Sequence, residues 1–93
     1  MEKKPLFPLG QVVATPGALN ALDTSGQLPA EFLSRHISGD WGDLCEEDRQ
    51  QNEVSLQHGC RLFSAYTTKS GQKLWIITEW NRSATTLLLP CEY

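Results

Sequence analysis

RLFSAYTTKSGQKLWIITEWNRSATTLLLP, residues 61–90, is the stretch that decides the fold. Short runs rich in β-branched and aromatic residues alternate there with turn-forming clusters, the pattern of a three-stranded antiparallel meander. Lys69-Ser70-Gly71 suits a three-residue hairpin loop with glycine in the left-handed position, which pairs Thr68 with Gln72, Tyr66 with Leu74 and Ser64 with Ile76. A tight loop at Asn81-Arg82 then pairs Ile76 with Leu87 and Leu74 with Leu89. In that register Leu62, Tyr66, Leu74, Ile76, Leu87 and Leu89 share one face. The opposite face carries Phe63, Ala65, Trp75, Ile77 and Leu88, and a one-residue slip would scramble the assignment for the last strand. Both faces are apolar, so helices packed on one side leave the other in need of a cover.

Upstream, residues 9–15 form a short β-type run ending in Thr15-Pro16, a capping hydroxyl followed by a first-turn proline. A short helix over 16–22 follows, closed by the turn chemistry of residues 23–26. Pro29 opens a second helix over 29–36, with Glu31 in its first turn and Arg35 and His36 in its last, matching the helix macrodipole. Phe32 and Leu33 are its core contacts. After a loop at 38–43, Asp43 and Glu46 have the spacing of a capping box and predict a third helix over 44–58 that stops at Gly59. That helix is weakly amphipathic, and Asn52 falls on its buried stripe, where its amide needs partners. The expected architecture is α+β: two or three short helices packed on a small antiparallel meander, with the N-terminal strand pairing at an edge.

Ninety-three residues with 40% hydrophobic content fit one domain, since a chain this short buries only roughly 60% of its unfolded surface and cannot divide a core between two units. No apolar run is long enough to span a membrane. Residues 1–9 start with charge, lack the apolar core of a secretion signal and are interrupted by two prolines, which gives a cytoplasmic protein as the expectation. Cys45, Cys60 and Cys91 are odd in number and form no close pair, as expected of buried free thiols. Cys45 lies among Asp43, Glu46 and Glu47, whose charge disfavours a thiolate and so disfavours a nucleophile. Residues 31–53 are acidic and the C-terminal third is mildly basic. That balance lacks the dense Lys/Arg stripe of a duplex-DNA binder and argues against direct nucleic-acid binding.

Candidate chemistry is sparse. His36, Asp40 and Asp43, with His58 from the end of the third helix, could supply nitrogen and oxygen ligands to a metal or an acid/base pair. Their spacing matches no metal template, and the loop reads more readily as structure, with Trp41 lidding the core. Glu79, Asn81 and Arg82 read as a solvated hairpin tip. There is no nucleophile elbow around Ser83 and no phosphate loop around Gly71-Gln72-Lys73. No catalytic residue, metal ligand or cofactor is assigned from these patterns. The outward face is the stronger feature: Phe63, Trp75, Ile77 and Leu88 form an apolar patch of the size that marks interaction sites, with Trp75 as an anchor of the hot-spot type. The competing reading has the first strand and the N-terminal arm, with Phe7 and Leu9, wrapping over that face.

Three segments, 7–18 (FPLGQVVATPGA), 36–44 (HISGDWGDL) and LWIITE with RSATTLLLP after it, together resemble a group of small proteins found on bacterial plasmids and phages, some labelled as restriction-modification associated. The likeness spans nearly the whole chain. It implies a mobile-element accessory protein and carries over no functional residues. The expectation is therefore a non-enzymatic interaction protein that buries Phe63, Trp75, Ile77 and Leu88 against a protein partner or a second copy and acts on a host defence or restriction system. The alternatives are a metal-dependent hydrolase or nuclease built on His36, Asp40 and Asp43, and an acidic segment that mimics nucleic-acid charge.

Overall fold

The computed structural model describes residues 5–93; the charged residues 1–4, part of the reading against a secretion signal, lie outside the described residues. The chain runs β1 (Gln11–Ala14), α1 (Pro16–Ser25), α2 (Pro29–Ile37), α3 (Glu46–His58), β2 (Leu62–Thr67), β3 (Lys73–Thr78) and β4 (Ala84–Leu88), and ends in a 3₁₀ turn at Pro90–Glu92. It is an α+β fold on a four-stranded sheet of order β1-β4-β3-β2, with the N-terminal strand at an edge. β1 pairs parallel to β4 while the other pairings are antiparallel, so the sheet is mixed. The parallel pairing follows from the connection: β1 leads through three helices before the meander begins, and its return need not reverse direction.

The first hairpin has the expected register, with Tyr66 opposite Leu74 and Ser64 opposite Ile76. Gly71 adopts φ 87°, and Thr68 N donates to Gln72 O at 2.8 Å. Ile76 meets Leu87 as expected, but β4 stops at Leu88. Leu89 is half-buried and heads the terminal turn, so its expected pairing with Leu74 does not form; Pro90 has no N–H to extend a ladder.

The inner face carries Leu62, Ser64, Tyr66, Leu74, Ile76, Thr78, Thr85 and Leu87, all buried. α1 and α2 cover it through Ala18, Leu22 and Phe32, with Ala14 and Leu33 at the margin. α1 starts as expected: Thr15 Oγ1 accepts from Ala18 N at 3.2 Å, and Pro16 takes the first helical position. It runs to Ser25, beyond the expected end at 22, because Gly26 in the left-handed conformation closes it and takes up Leu22 and Asp23 carbonyls. The terminal turn reaches back to this helix. Thr15 Oγ1 donates to Glu92 Oε1 at 2.5 Å and Gly17 N donates to Oε2 at 3.2 Å, placing a carboxylate at a helix N-terminus. These contacts hold the Glu92 carboxyl below the usual carboxylate range.

α3 begins at Glu46 rather than 44, and Asp43 does not cap it. Residues 41–43 are instead drawn against the outer edge of β2: Ala65 N donates to Trp41 O at 3.1 Å and Asp43 N donates to Ala65 O at 2.6 Å. The Asp43 carboxylate accepts from Thr67 Oγ1 at 2.8 Å. Gly42 sits at φ 76°, and a Cβ on it would lie 2.0 Å from Ala65 O, so only glycine fits this bridge. The cysteines are exposed, against expectation. Each lies at an element end: Cys45 at the start of α3, Cys60 just past its C-cap Gly59, and Cys91 in the terminal turn. Sequence composition reports how often a cysteine is buried, whereas element ends face water. Among the described residues no helix is long and apolar enough to cross a membrane.

Candidate functional site

The polar residues singled out by sequence fall into two structural assemblies, and the apolar ones into a surface recess. The first assembly is a hydrogen-bond chain under the sheet. His36, wholly buried on α2, meets Ser64 Oγ through Nδ1 at 2.5 Å and Thr78 Oγ1 through Nε2 at 2.9 Å. Thr78 Oγ1 lies 2.8 Å from Thr85 Oγ1, and Thr85 donates to Leu9 O at 2.7 Å. Directions follow from the far end. A carbonyl can only accept, so the Thr85 proton goes to Leu9; the Thr78 proton then goes to Thr85, and Thr78 must accept from His36 Nε2–H. Nδ1 is left as the acceptor for the Ser64 hydroxyl. The chain of donors therefore fixes His36 as the neutral Nε2–H tautomer. Burial, and then the nearby Arg82 charge, push its pKa down to about 4.

The second assembly is the 35–43 loop. Arg35 Nε donates to Asp40 Oδ2 at 2.7 Å and its guanidinium lies 4.5 Å over the Tyr66 ring. Gly42 N donates to Asp40 Oδ1 at 3.2 Å, and Tyr66 Oη donates to Asp40 O at 2.6 Å. Asp40 holds Arg35 more firmly protonated, and burial pushes the Tyr66 phenol up to about 12. Trp41 is buried between Phe7 and His36, with Phe7 stacked at 6.3 Å and His36 edge-on at 5.7 Å. The alternative metal-ligand set is thus dispersed: His36 faces two hydroxyls, Asp40 faces Arg35 and Asp43 faces Thr67. Among the described residues no group of three or more His, Cys, Asp or Glu side chains is placed to hold a metal ion.

Two roles escaped the sequence. Asn52 on α3 donates through Nδ2 to Phe63 O at 2.6 Å and accepts from Phe63 N at 3.1 Å, so one amide completes the β2 edge as a neighbouring strand would. The need for partners was legible; their identity was not, because Asn52 and Phe63 come together only through the tertiary fold. Arg82, expected in a solvated tip, instead gathers carbonyls. It donates to Cys60 O at 2.5 Å, Glu79 O at 3.1 Å and Ser55 O at 3.1 Å, joining the C-terminus of α3 to the β3–β4 turn. Its φ of 59° is the one positive value among the described non-glycine residues.

The outer face carries the predicted interaction residues. Phe7 packs beside His36 and Leu9 accepts from Thr85, both on the inner side, so these two residues do not cover the outer face. Phe63 and Trp75 are half-buried and meet edge to face at 5.0 Å; Trp75 meets Tyr93 in the same way at 5.8 Å. Arg61 Nη1 donates to Tyr93 Oη at 2.9 Å. Together with Ile77 these side chains enclose an open recess of about 260 Å³. Ile77, 8% exposed, lines the recess from beneath the two aromatic rings, whereas Leu88, 6% exposed and paired with Trp75, lies on the same face outside its lining. Tyr93, which sequence reasoning did not include, arrives because the terminal turn folds back across Trp75. No known protein family, curated protein or solved structure matches the chain.

Proposed function

We propose that this protein is a non-enzymatic interaction module that seats a protein partner, or a second copy of itself, on the outer face of its sheet. The observation that supports this reading is the recess bounded by Phe63, Trp75, Ile77, Tyr93 and Arg61. At about 260 Å³ it lies just below the range of drug-sized ligand pockets, a size suited to one large apolar side chain from a partner. Edge-to-face aromatic walls make a rigid apolar receptor, and Arg61 at the rim adds a charged donor for a partner's polar periphery. Ile77 belongs to the site as its floor, and Leu88 lies beside it on the same face of the sheet. The resemblance to plasmid and phage proteins supports a mobile-element accessory role, with a host defence or restriction component as the class of partner.

Trp75→Ala tests the reading. An anchor in such a recess contributes about 2 kcal/mol or more to binding, close to thirtyfold in affinity. Light scattering coupled to size-exclusion chromatography reports self-association, and affinity capture followed by titration reports a foreign partner. Loss of binding with an unchanged unfolding midpoint supports the proposal. A variant that unfolds returns Trp75 to the core and removes the proposal's main support.

A further inference from the structure

The outer-face recess has a wall that does not belong to the sheet. Among the described residues that line it, Phe63, Trp75 and Ile77 stand on β2 and β3 and Arg61 directly precedes β2, whereas Tyr93 follows the 3₁₀ turn. That turn, Pro90–Glu92, contains no buried residue, and Tyr93 is 73% exposed. Segments with so little burial open locally before the strands beneath them do. The place of Tyr93 therefore depends on the polar contacts that tie its segment down.

Arg61 Nη1 donates to Tyr93 Oη at 2.9 Å, on the ring itself. The stronger tie lies one residue earlier. The Glu92 carboxylate accepts from Thr15 Oγ1 at 2.5 Å, from Gly17 N at 3.2 Å and, within its own turn, from Leu89 N at 2.9 Å. The Gly17 amide is one of the first-turn donors with no acceptor inside the helix, so its bond to Glu92 takes nothing from α1. Gly17 also has a shape that needs explaining. It lies in the helix without a positive φ, where alanine would serve the backbone better. A Cβ there would lie 2.7 Å from Glu92 Oε2 and 2.8 Å from its Cδ and Oε1, so the missing side chain is the seat of the carboxylate.

We infer that Glu92, seated on Thr15 and Gly17, is the catch that assembles the recess, and that it is the positioning residue for the Tyr93 wall. On the reading of the recess as a binding site, on which this role rests, the catch regulates that site. Seated, it completes the aromatic enclosure; released, it leaves Trp75 on an open sheet face. An occupant that touches Tyr93 favours the seated form, so occupancy of the outer face and closure at the start of α1 strengthen each other by the same factor.

The test uses the ¹⁵N,¹³C-labelled full chain and its variants Gly17→Ala, Glu92→Ala and Tyr93→Phe. The clash in Gly17→Ala falls on the end of one exposed side chain, so α1 is expected to stay folded and the unfolding midpoint to hold. In Gly17→Ala and Glu92→Ala the nuclear Overhauser contacts between the Tyr93 and Trp75 rings should fall at least about threefold, and in Glu92→Ala the Gly17 amide should exchange at least about tenfold faster. Tyr93→Phe, which loses the bond to Arg61 alone, should keep its ring on Trp75. A ring that stays on Trp75 in both catch variants overturns the inference. So does a ring released by Tyr93→Phe but not by the catch variants, which would make Arg61 the positioning residue. Global unfolding of both catch variants would make the contact a structural staple and overturn it too. N-acetyl-L-tryptophanamide, standing in for a partner's large apolar side chain, should shift Phe63 and Trp75, slow Gly17 exchange, and bind Gly17→Ala at least about fivefold more weakly than wild type. Equal binding to the two overturns the coupling. Absence of binding to the wild type up to millimolar probe counts against the recess as a binding site, whereas the catch is decided by the Tyr93–Trp75 contact in the free chain.

Discussion

Acidifying this protein should cost it stability through one buried ring. The folded state holds His36 neutral, with a pKa near 4, whereas an unfolded chain releases the imidazole to an ordinary value of about 6.5. Between those limits the unfolded state binds the extra proton, so stability is complete above the unfolded value and falls as pH drops toward the folded one. Linkage over that interval gives a loss of about 2 kcal/mol by pH 5 and about 3 kcal/mol by pH 4. Physically, a second ring proton would point Nδ1–H at the Ser64 hydroxyl, whose own proton already occupies that 2.5 Å contact. The assay is urea unfolding followed by tryptophan fluorescence at half-unit steps from pH 7 to 4, in the wild type and in His36→Gln. Gln can donate to Thr78 but does not titrate, so the difference in slope between the proteins isolates His36. Glu92, whose carboxyl is also held low, loses its contribution as pH falls through the carboxylate range, and it does so in both proteins. Equal slopes above pH 5 would refute the linkage, and a ring ¹⁵N spectrum showing an Nδ1–H tautomer would refute the donor chain from which it was derived.

Other consequences of the geometry are open to simple measurements. Asn52→Ala strips the Phe63 N–H and C=O of their partners at a part-buried edge and should cost about 2–3 kcal/mol in chemical denaturation, with faster exchange of the Phe63 amide. Gly42→Ala drives a Cβ into Ala65 O and should cost well over about 2 kcal/mol, whereas Gly26→Ala meets open space and should cost about 1 kcal/mol from its positive φ alone; unfolding midpoints of the pair separate collision from backbone strain. All three exposed cysteines should react with a chromogenic disulfide reagent in the native state without denaturant, and full reactivity only after unfolding would contradict their placement. Titration with divalent cations should leave Trp41 fluorescence unchanged, because His36, Asp40 and Asp43 are bound to protein partners around it.

What could be read from the sequence was whatever depends on near neighbours. Gly71 between two alternating runs sets the first hairpin register, and register fixes which residues lie on each face, so Tyr66, Leu74, Ile76 and Leu87 were legible as core. Thr15-Pro16 and Gly59 mark helix ends by the same local logic. The sequence reading failed where distant segments compete for the same groups. Asp43 looked like a helix cap until the edge of β2 claimed its amide and Thr67 its carboxylate. Arg82 looked solvated because nothing in its own turn announces the carbonyls of Ser55 and Cys60. Phe63 and Trp75 could be placed on the outer face, but Tyr93 could join them only once the terminal turn was anchored, and its anchor is Glu92 at the head of α1.

The division of labour between the faces narrows where function can reside. A serine hydroxyl donating to a histidine nitrogen has the composition of an activated nucleophile, and Ser64 with His36 offers that pair. Yet both side chains are wholly buried, and the second ring nitrogen is committed to a threonine chain that ends on a backbone carbonyl. A substrate carbonyl could approach Ser64 only by displacing α2 from the sheet. The pair is spent on holding α2, β2, β3, β4 and the N-terminal arm in one arrangement, which explains a polar chain in an otherwise apolar core: each hydroxyl has a single direction, so the elements lock in one register. With the inner face committed to this chain and the β2 edge bonded to Asn52, the proposed binding falls to the outer face, where the aromatic recess lies.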